Sequence, residues 1–438
     1  MVATVLGVVA AADRLRIDRR QPLMAESPTQ VTSLPNGLRV VTEAMPEARS
    51  VTLGVWVGVG ARDESAELHG ASHFLEHLLF KGTPRRSARE LAQAVDAVGG
   101  EMNAFTAKEH TAYYARLPAD QLSFGLSLLG DVITDPRLDP SDVDAERQVI
   151  LEELLLSEDE PEERVEVLCH EALFPDHPLG REVLGSHDSI SGLRRDDIDQ
   201  FFRRWYSPAD LVLAAAGDLE HDAVVDAAAT WFPDGPAGSR PERHAVDRAP
   251  THLAVLTRPT EQAHLALGWR AVAADHPDRY ALTVLNHVFG GGMSSRLFQE
   301  IRERRGLAYS VGSYAARYSD AGCLVAYAGT APARLPEVRA LMDAEVERLA
   351  TDGITAHELE VATGYITGSL QLSLEDSASR MVRLGSDILQ HDRVIPLAEH
   401  LDAVRSVTLD DVARMAATVF GGTEAIAAVG PVRDDAFA

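Results

Sequence analysis

Ser50-Val-Thr-Leu-Gly-Val-Trp-Val-Gly-Val-Gly60 alternates β-branched and small residues and reads as a central strand. Gly70-Ala-Ser-His-Phe-Leu-Glu-His-Leu-Leu-Phe-Lys81 follows it and reads as a long helix. The same pair recurs later in the chain. Ala263 to Trp269 is strand-like, and Leu285-Asn-His-Val-Phe-Gly-Gly-Gly292 lines up with Leu75-Glu-His-Leu-Leu-Phe-Lys-Gly82. Ala214-Ala-Ala-Gly217 and Ala427-Ala-Val-Gly430 match in the same sense, so the expected fold is an α+β unit of about 200 residues present twice. The copies differ where chemistry would sit. Thr283 stands at the position of His73, and Asn286 at that of Glu76.

Working outward, Pro35-Asn36-Gly37 between Val31–Leu34 and Leu38–Thr42 predicts an opening hairpin. Arg86 to Val98 keeps helical spacing and stops at Gly99-Gly100. Glu101 to Leu117 has strand character. Helices are expected at about 120–134, 141–157, 162–174, 195–205 and 222–231, with a strand over 210–217. Phe232 to Pro241 gathers Pro, Gly and Ser, the composition of an exposed connection. The expected division is an extension over 1–30, an N-terminal domain over 31–231, a linker over 232–250 and a homologous domain over 251–434, each domain an antiparallel sheet flanked by helices.

The chain has 438 residues, 45% of them apolar and 25% charged, which is enough for more than one core. Its net charge of −26 argues against a nucleic-acid partner and favours neutral or cationic ligands. Cys169 and Cys323 lie far apart, so no disulfide framework is expected and a reducing, cytoplasmic setting is the default. Apolar runs are too short for a membrane span. Val2 to Ala12 has the length of a signal core, but arginines follow it instead of preceding it. The reading is a disordered or mis-started extension, with Met24 as an alternative start.

His73-Phe-Leu-Glu76-His77 puts two imidazoles four residues apart, on one helical face, where both reach one ion at about 2.0–2.1 Å. Glu76 lies beside that ion and can take a proton from metal-bound water. The pattern is the inverted counterpart of the H-E-x-x-H zinc motif. The same five residues also suit an amphipathic helix with two half-buried histidines, so a third ligand decides between the readings.

The helix expected from Ser141, with Asp144 as a capping-box partner, carries Glu146, Glu152 and Glu153. Glu146 and Glu153 fall within about 20° of each other, in the arc of Val149, Ile150 and Leu154, and Glu152 is turned about 100° away. Carboxylates on an apolar face need a cation, either a metal or a buried Arg.

With Glu153 coming 76 positions after His77, inside Glu146-Arg-Gln-Val-Ile-Leu-Glu-Glu153, the chain resembles the insulinase/pitrilysin superfamily of zinc peptidases. The nearest likeness is to the processing-peptidase branch typified by the β subunit of mitochondrial processing peptidase and its bacterial relatives. The resemblance runs from about Val31 to Gly430. It implies one Zn²⁺ per chain held by His73, His77 and Glu153, with Glu76 as catalytic base and Glu146 as a supporting acidic residue. It also implies that Asn103, Ala104 and Phe105 lie on an edge strand that receives an extended peptide. Arg302 and Tyr309 would reach the substrate from the other domain, where a guanidinium or phenol can hold developing negative charge.

The activity implied is zinc-dependent endoproteolysis of short or unfolded peptides by a homodimer in which each chain forms half of a clam-shell, and an acidic chamber would favour basic peptides. The alternative is a non-catalytic family member that serves as a scaffold or as the inactive partner of a heterodimer. His110, His170, His177 and His187 lack partners at ligand spacing and are read as structural, and the two cysteines as buried thiols.

Overall fold

The computed structural model describes residues 29–235, 238 and 240–437. The apolar extension thus lies outside the described residues, apart from Thr29 and Gln30, which open the first strand. The first half contributes β1 (Thr29–Ser33), β2 (Arg39–Ala44), β3 (Ser50–Val57), β4 (Glu101–Thr106), β5 (Thr111–Pro118) and β6 (Leu211–Gly217). Its helices are α1 (Ala71–Leu79), α2 (Ala88–Ala97), α3 (Leu122–Thr134), α4 (Pro140–Asp159), α5 (Pro161–Leu173), α6 (His187–Gly192), α7 (Arg195–Trp205) and α8 (His221–Trp231). The second half contributes β7 (Leu253–Thr257), β8 (Ala263–Ala271), β9 (Ala308–Arg317), β10 (Gly322–Thr330) and β11 (Ala425–Gly430). With these go α9 (Arg279–Phe289), α10 (Leu335–Thr351), α11 (Ala356–Ser373), α12 (Ser377–His391), α13 (Leu397–Ser406) and α14 (Leu409–Phe420).

The duplication is explicit in the sheets. The first runs β1-β2-β6-β3-β5-β4 and the second β7-β11-β8-β10-β9, so the last five strands of the first match the second one for one. In each, one neighbouring pair is parallel, β2 with β6 and β7 with β11, and the remaining pairs are antiparallel. The fold is α+β, as expected. β4 and β9 are the corresponding edge strands.

Both faces of the central strands are covered, which explains why they are apolar almost throughout. Leu53 and Val55 join a core with α1, α3 and α8. On the opposite face, Trp56, Val212 and Ala214 pack against Met381, Leu384 and Ile388 of α12, a helix from the second half. The exchange is reciprocal. Val165, Cys169 and Leu173 of α5, from the first half, cover Ala266, Val325 and Ala427 of the second sheet. A glycine in each central strand admits the borrowed helix: a Cβ on Gly54 would meet Met381 Sδ at 2.3 Å, and one on Gly268 would meet Cys169 Sγ at 2.8 Å.

The two homologous hairpin turns also meet. Arg62 pairs with Glu109 at the β4–β5 turn (2.6 Å) and with Asp320 at the β9–β10 turn (2.7 Å), and Ser319 N–H donates to Glu109 (2.9 Å). Linker residue Arg243 joins the group through Asp63 (2.9 Å).

Local boundaries depart from expectation in two places. The fourth helix starts with Pro140 after Asp139, because proline presets the first helical φ, and Ser141 is therefore not its cap. The strand expected over Glu101–Leu117 is a hairpin. Its turn at 107–110 has no Gly or Pro, and it is fixed from outside by Ala61 and Arg62 N–H groups on the Ala107 and Lys108 carbonyls.

Gly385 of α12 lies against the Trp56 indole, where an added Cβ would come within 2.2 Å of Nε1. Gly385→Ala gains helix propensity but overpacks this contact, and a net loss of about 1–3 kcal/mol is expected in urea unfolding.

Candidate active site

Helix α1 begins abruptly at Gly70, whose φ of +94° is open to glycine and strained for other residues. No side chain at the cap position holds the first turn. Instead the buried Glu64 carboxylate accepts the Gly70 and Ser72 N–H groups, both at 2.7 Å. Phe74, Leu75, Leu78 and Leu79 then point into the core, which leaves His73, Glu76 and His77 on the other side. The two imidazoles are one turn apart, with ring centroids 4.7 Å from each other.

Helix α4 packs alongside through Val143, Ile150 and Leu154. Its carboxylates divide as the helical angle requires. Glu146 is buried, Glu153 is half-buried and Glu152 is exposed. Val149, expected among the inward residues, is 49% exposed, so Glu153 sits at the rim of the apolar contact and not inside it. Its Oε2 lies 3.6 Å from Nε2 of both His73 and His77.

These three donors lie within 4.8 Å of one another. At 3.6 Å neither imidazole is hydrogen-bonded to the carboxylate. The spacing is close to the edge of about 3.4 Å that a tetrahedron with zinc–ligand bonds of about 2.0–2.1 Å would have. Two imidazole nitrogens and one carboxylate oxygen are an ordinary zinc donor set, and they leave a fourth position free. Burial, reinforced by the neighbouring His77, lowers the His73 pKa to about 4, so its ring is neutral and keeps a lone pair at pH 7.

Glu76 is the remaining acid. Burial, helped by the repulsion of Glu153, raises its pKa above the usual carboxylate range, against the lowering effects of Thr106 and His77. Thr106 Oγ1 donates to Glu76 Oε2 at 2.6 Å and so ties the acid to the edge strand β4. On that strand Ala104 is buried and Asn103 exposed, and Asn103 Oδ1 accepts the Ala104 N–H at 2.8 Å. Glu146 accepts from His77 Nδ1 at 3.1 Å and pairs with Lys81 Nζ at 2.6 Å.

The sequence therefore named His73, Glu76, His77, Glu146 and Glu153, and the fold gathers all five. Arg302 and Tyr309 lie apart from them. Arg302 donates to the Tyr309 carbonyl (3.1 Å) and stacks over the Tyr309 and Phe298 rings, and Tyr309 is 76% exposed. None of their hydrogen bonds, ion pairs or ring contacts reaches α1 or α4. Thr106, Lys81 and Glu64 were not anticipated. Of these, only Lys81 had a local signal, its place four residues after His77.

Residues 39–187 match the family model for insulinase (peptidase family M16), and residues 192–363 match that for the peptidase M16 inactive domain. An uncharacterized zinc protease of Streptomyces coelicolor is 43% identical over 92% of this chain and 90% of its own length. The chain belongs to the M16 family. An uncharacterized zinc protease of Bacillus subtilis is 38% identical, over 90% of this chain and 97% of its own. Among solved structures, a protease from Helicobacter pylori superposes with a TM-score of 0.85 at 25% identity, covering 93% of this chain and 100% of that one. The second model match begins in the first half and extends over the part of the second in which Thr283 and Asn286 stand at the His73 and Glu76 positions. No helix among the described residues is long and apolar enough to cross a membrane.

Glu64 offers a pH test of how α1 is held. Burial raises its pKa from 4.5 to about 7, although the Ser72 and Gly70 N–H groups pull it down. The folded chain thus binds this proton more tightly than the unfolded chain. The contribution to stability is complete below pH 4.5 and is lost as pH rises through 7. For metal-free protein the expected loss is about 3 kcal/mol between those limits. Urea unfolding of Glu64→Gln at both ends should lack this slope.

Proposed function

We propose that this M16 chain is a zinc-dependent endopeptidase that cleaves short or unfolded peptides and works as a homodimer. The observation that carries the reading is the convergence of the His73, His77 and Glu153 donors on one point, with a half-buried carboxylate of raised pKa beside it. His73, His77 and Glu153 would hold the metal. Zinc, when bound, supplies Lewis acidity that activates water and polarises a peptide carbonyl.

The chain's own groups do the rest. The extended substrate lies along the free edge of β4, pairing with the main chain near Asn103, Ala104 and Phe105, and it displaces the Asn103 side chain from the Ala104 N–H. Glu76 takes a proton from the attacking water as its oxygen bonds to the carbonyl carbon. It then passes that proton to the leaving amine as the C–N bond breaks. Thr106 keeps the Glu76 carboxylate aligned with the strand that carries the scissile bond. The net charge of −26 favours basic peptides.

Arg302 is half-buried and Tyr309 exposed, and neither contacts the site of its own chain, which supports a role across a dimer: a second copy would present them to the substrate as halves of a closing chamber. Keeping the whole donor set and the acid favours catalysis over a scaffold role.

Glu76→Gln should keep stoichiometric zinc and lose about 10²–10⁴-fold in turnover of a quenched peptide. Metal without cleavage in the wild type would instead support the scaffold. Complementation tests the dimer. Glu76→Gln chains and Tyr309→Ala chains, each impaired alone, should recover about one quarter of wild-type turnover when refolded together, because half of random pairs contain one complete site. No recovery on mixing would place Tyr309 outside the partner's site.

A further inference from the structure

Of the 41 Lys and Arg residues, only Lys81 and Lys108 are lysine. Lys81 stands in the turn that ends α1, where its N–H donates to the Leu78 carbonyl at 3.0 Å, four residues beyond His77. Its Nζ is 2.6 Å from Glu146 Oε1, and the other carboxylate oxygen, Oε2, is 3.1 Å from His77 Nδ1. The Glu146 side chain is 7% exposed, and His77 and Lys81 are its ion-pair partners among the described residues. The contacts form a line, Lys81 to Glu146 to His77, that ends at the proposed metal position.

We propose that Lys81 is a positioning residue that fixes the His77 imidazole through the Glu146 carboxylate, and that zinc retention depends on it. The inference rests on the zinc-peptidase reading above. A carboxylate accepts hydrogen bonds and donates none, so the hydrogen between Glu146 and His77 belongs to Nδ1. Nε2, the nitrogen that faces Glu153, is then left with its lone pair. Partners behind a ligating histidine set its tautomer and ring direction in this way. Glu146 can do so only while Oε2 stays aimed at Nδ1. Lys81 engages Oε1 alone, which pins the rotation of the carboxylate and leaves the second oxygen free.

The residue type matters here. An ammonium is a point charge that satisfies one oxygen, whereas a guanidinium fork takes both oxygens of a carboxylate side by side. Arginine at position 81 would compete with His77 for Oε2. In a chain that is otherwise almost wholly arginine-based, lysine at this contact has a chemical reason.

The test is zinc affinity of purified full-length protein, stripped and then titrated against a chromophoric zinc chelator, with circular dichroism to verify folding. Lys81→Met should weaken zinc binding about 10–100-fold, as should Glu146→Gln. Lys81→Arg, despite keeping the charge, should recover only part of the loss. Lys81→Met combined with Glu146→Gln should bind zinc no more weakly than Glu146→Gln alone, the non-additivity of two residues acting in series. An affinity for Lys81→Met within about threefold of wild type, or fully additive losses in the double variant, overturns the proposal. If Lys81→Met does not fold, Lys81→Arg decides: a folded variant with wild-type affinity overturns it. Peptide turnover in excess zinc separates the two readings. Wild-type protein that holds zinc but cleaves nothing removes the peptidase, while the affinities still judge Lys81. Wild-type protein that holds no zinc removes both.

Discussion

The site exists because α1 and α4 share one apolar contact. Phe74, Leu75 and Leu78 on one side and Val143, Ile150 and Leu154 on the other are all buried in a single core, and their packing sets the distance between the two helices. Metal ligation tolerates little error in that distance, since a useful constellation must be held to within about half an ångström. Glu146 is the polar group inside this contact. A carboxylate there would be costly alone, and His77 and Lys81 together offset the cost. One buried acid thus serves both the interface between the helices and the direction of the His77 ring.

The exchange of helices explains how the surroundings stay rigid. α12 seals the outer face of the first sheet and α5 that of the second, so the sheets cannot separate without exposing two apolar interfaces at once. Glu43 sharpens one of them by taking both Arg380 and Arg383 of α12. The Arg62 cluster adds a polar fastening at the hairpin tips. Its consequence reaches the site, because the turn it clamps is the far end of β4, and Thr106 on β4 holds Glu76. The edge strand β4 and the acid Glu76 therefore belong to one stiff body.

The candidate ligands were legible because their spacing is a property of one helix at a time. His73 and His77 follow from the helical period, and Glu146 with Glu153 from the same period seventy residues later. The duplication could be read too, since Ala214–Gly217 and Ala427–Gly430 keep matching strand patterns. What the sequence hid was tertiary. Val165, Cys169 and Leu173 show that α5 has an apolar stripe, but not that it lies on the other half's sheet. Gly54 and Gly268 carried the available sign, because a glycine inside a central strand marks close approach of another element. Thr106 sat in plain view within a strand, and only the folded register brings it to Glu76. The turn at 107–110 lacks punctuation of its own because backbone groups from elsewhere hold it.

The second half shows what remains of such a site when metal chemistry is not required of it. Asn286, at the Glu76 position, accepts from Ser313 Oγ at 2.8 Å on the edge strand β9, just as Glu76 accepts from Thr106 on β4. The tie between helix and edge strand is kept while the charge is gone. His287, at the His77 position, stacks on Tyr365 with centroids 4.4 Å apart. Thr283, at the His73 position, turns its hydroxyl back to the Arg279 carbonyl of its own helix (3.1 Å). Thr283 and Asn286 satisfy their polar groups locally, whereas His287 Nε2 is buried without a hydrogen-bond partner. The first half differs in bringing two imidazoles and an acid of raised pKa to one place. His73 Nδ1 is buried without a partner, His73 and His77 face Glu153 at 3.6 Å without bonding, and Glu76 keeps a raised pKa. Both copies keep a buried imidazole nitrogen without a partner, and what sets the first apart is the carboxylates gathered beside its two imidazoles.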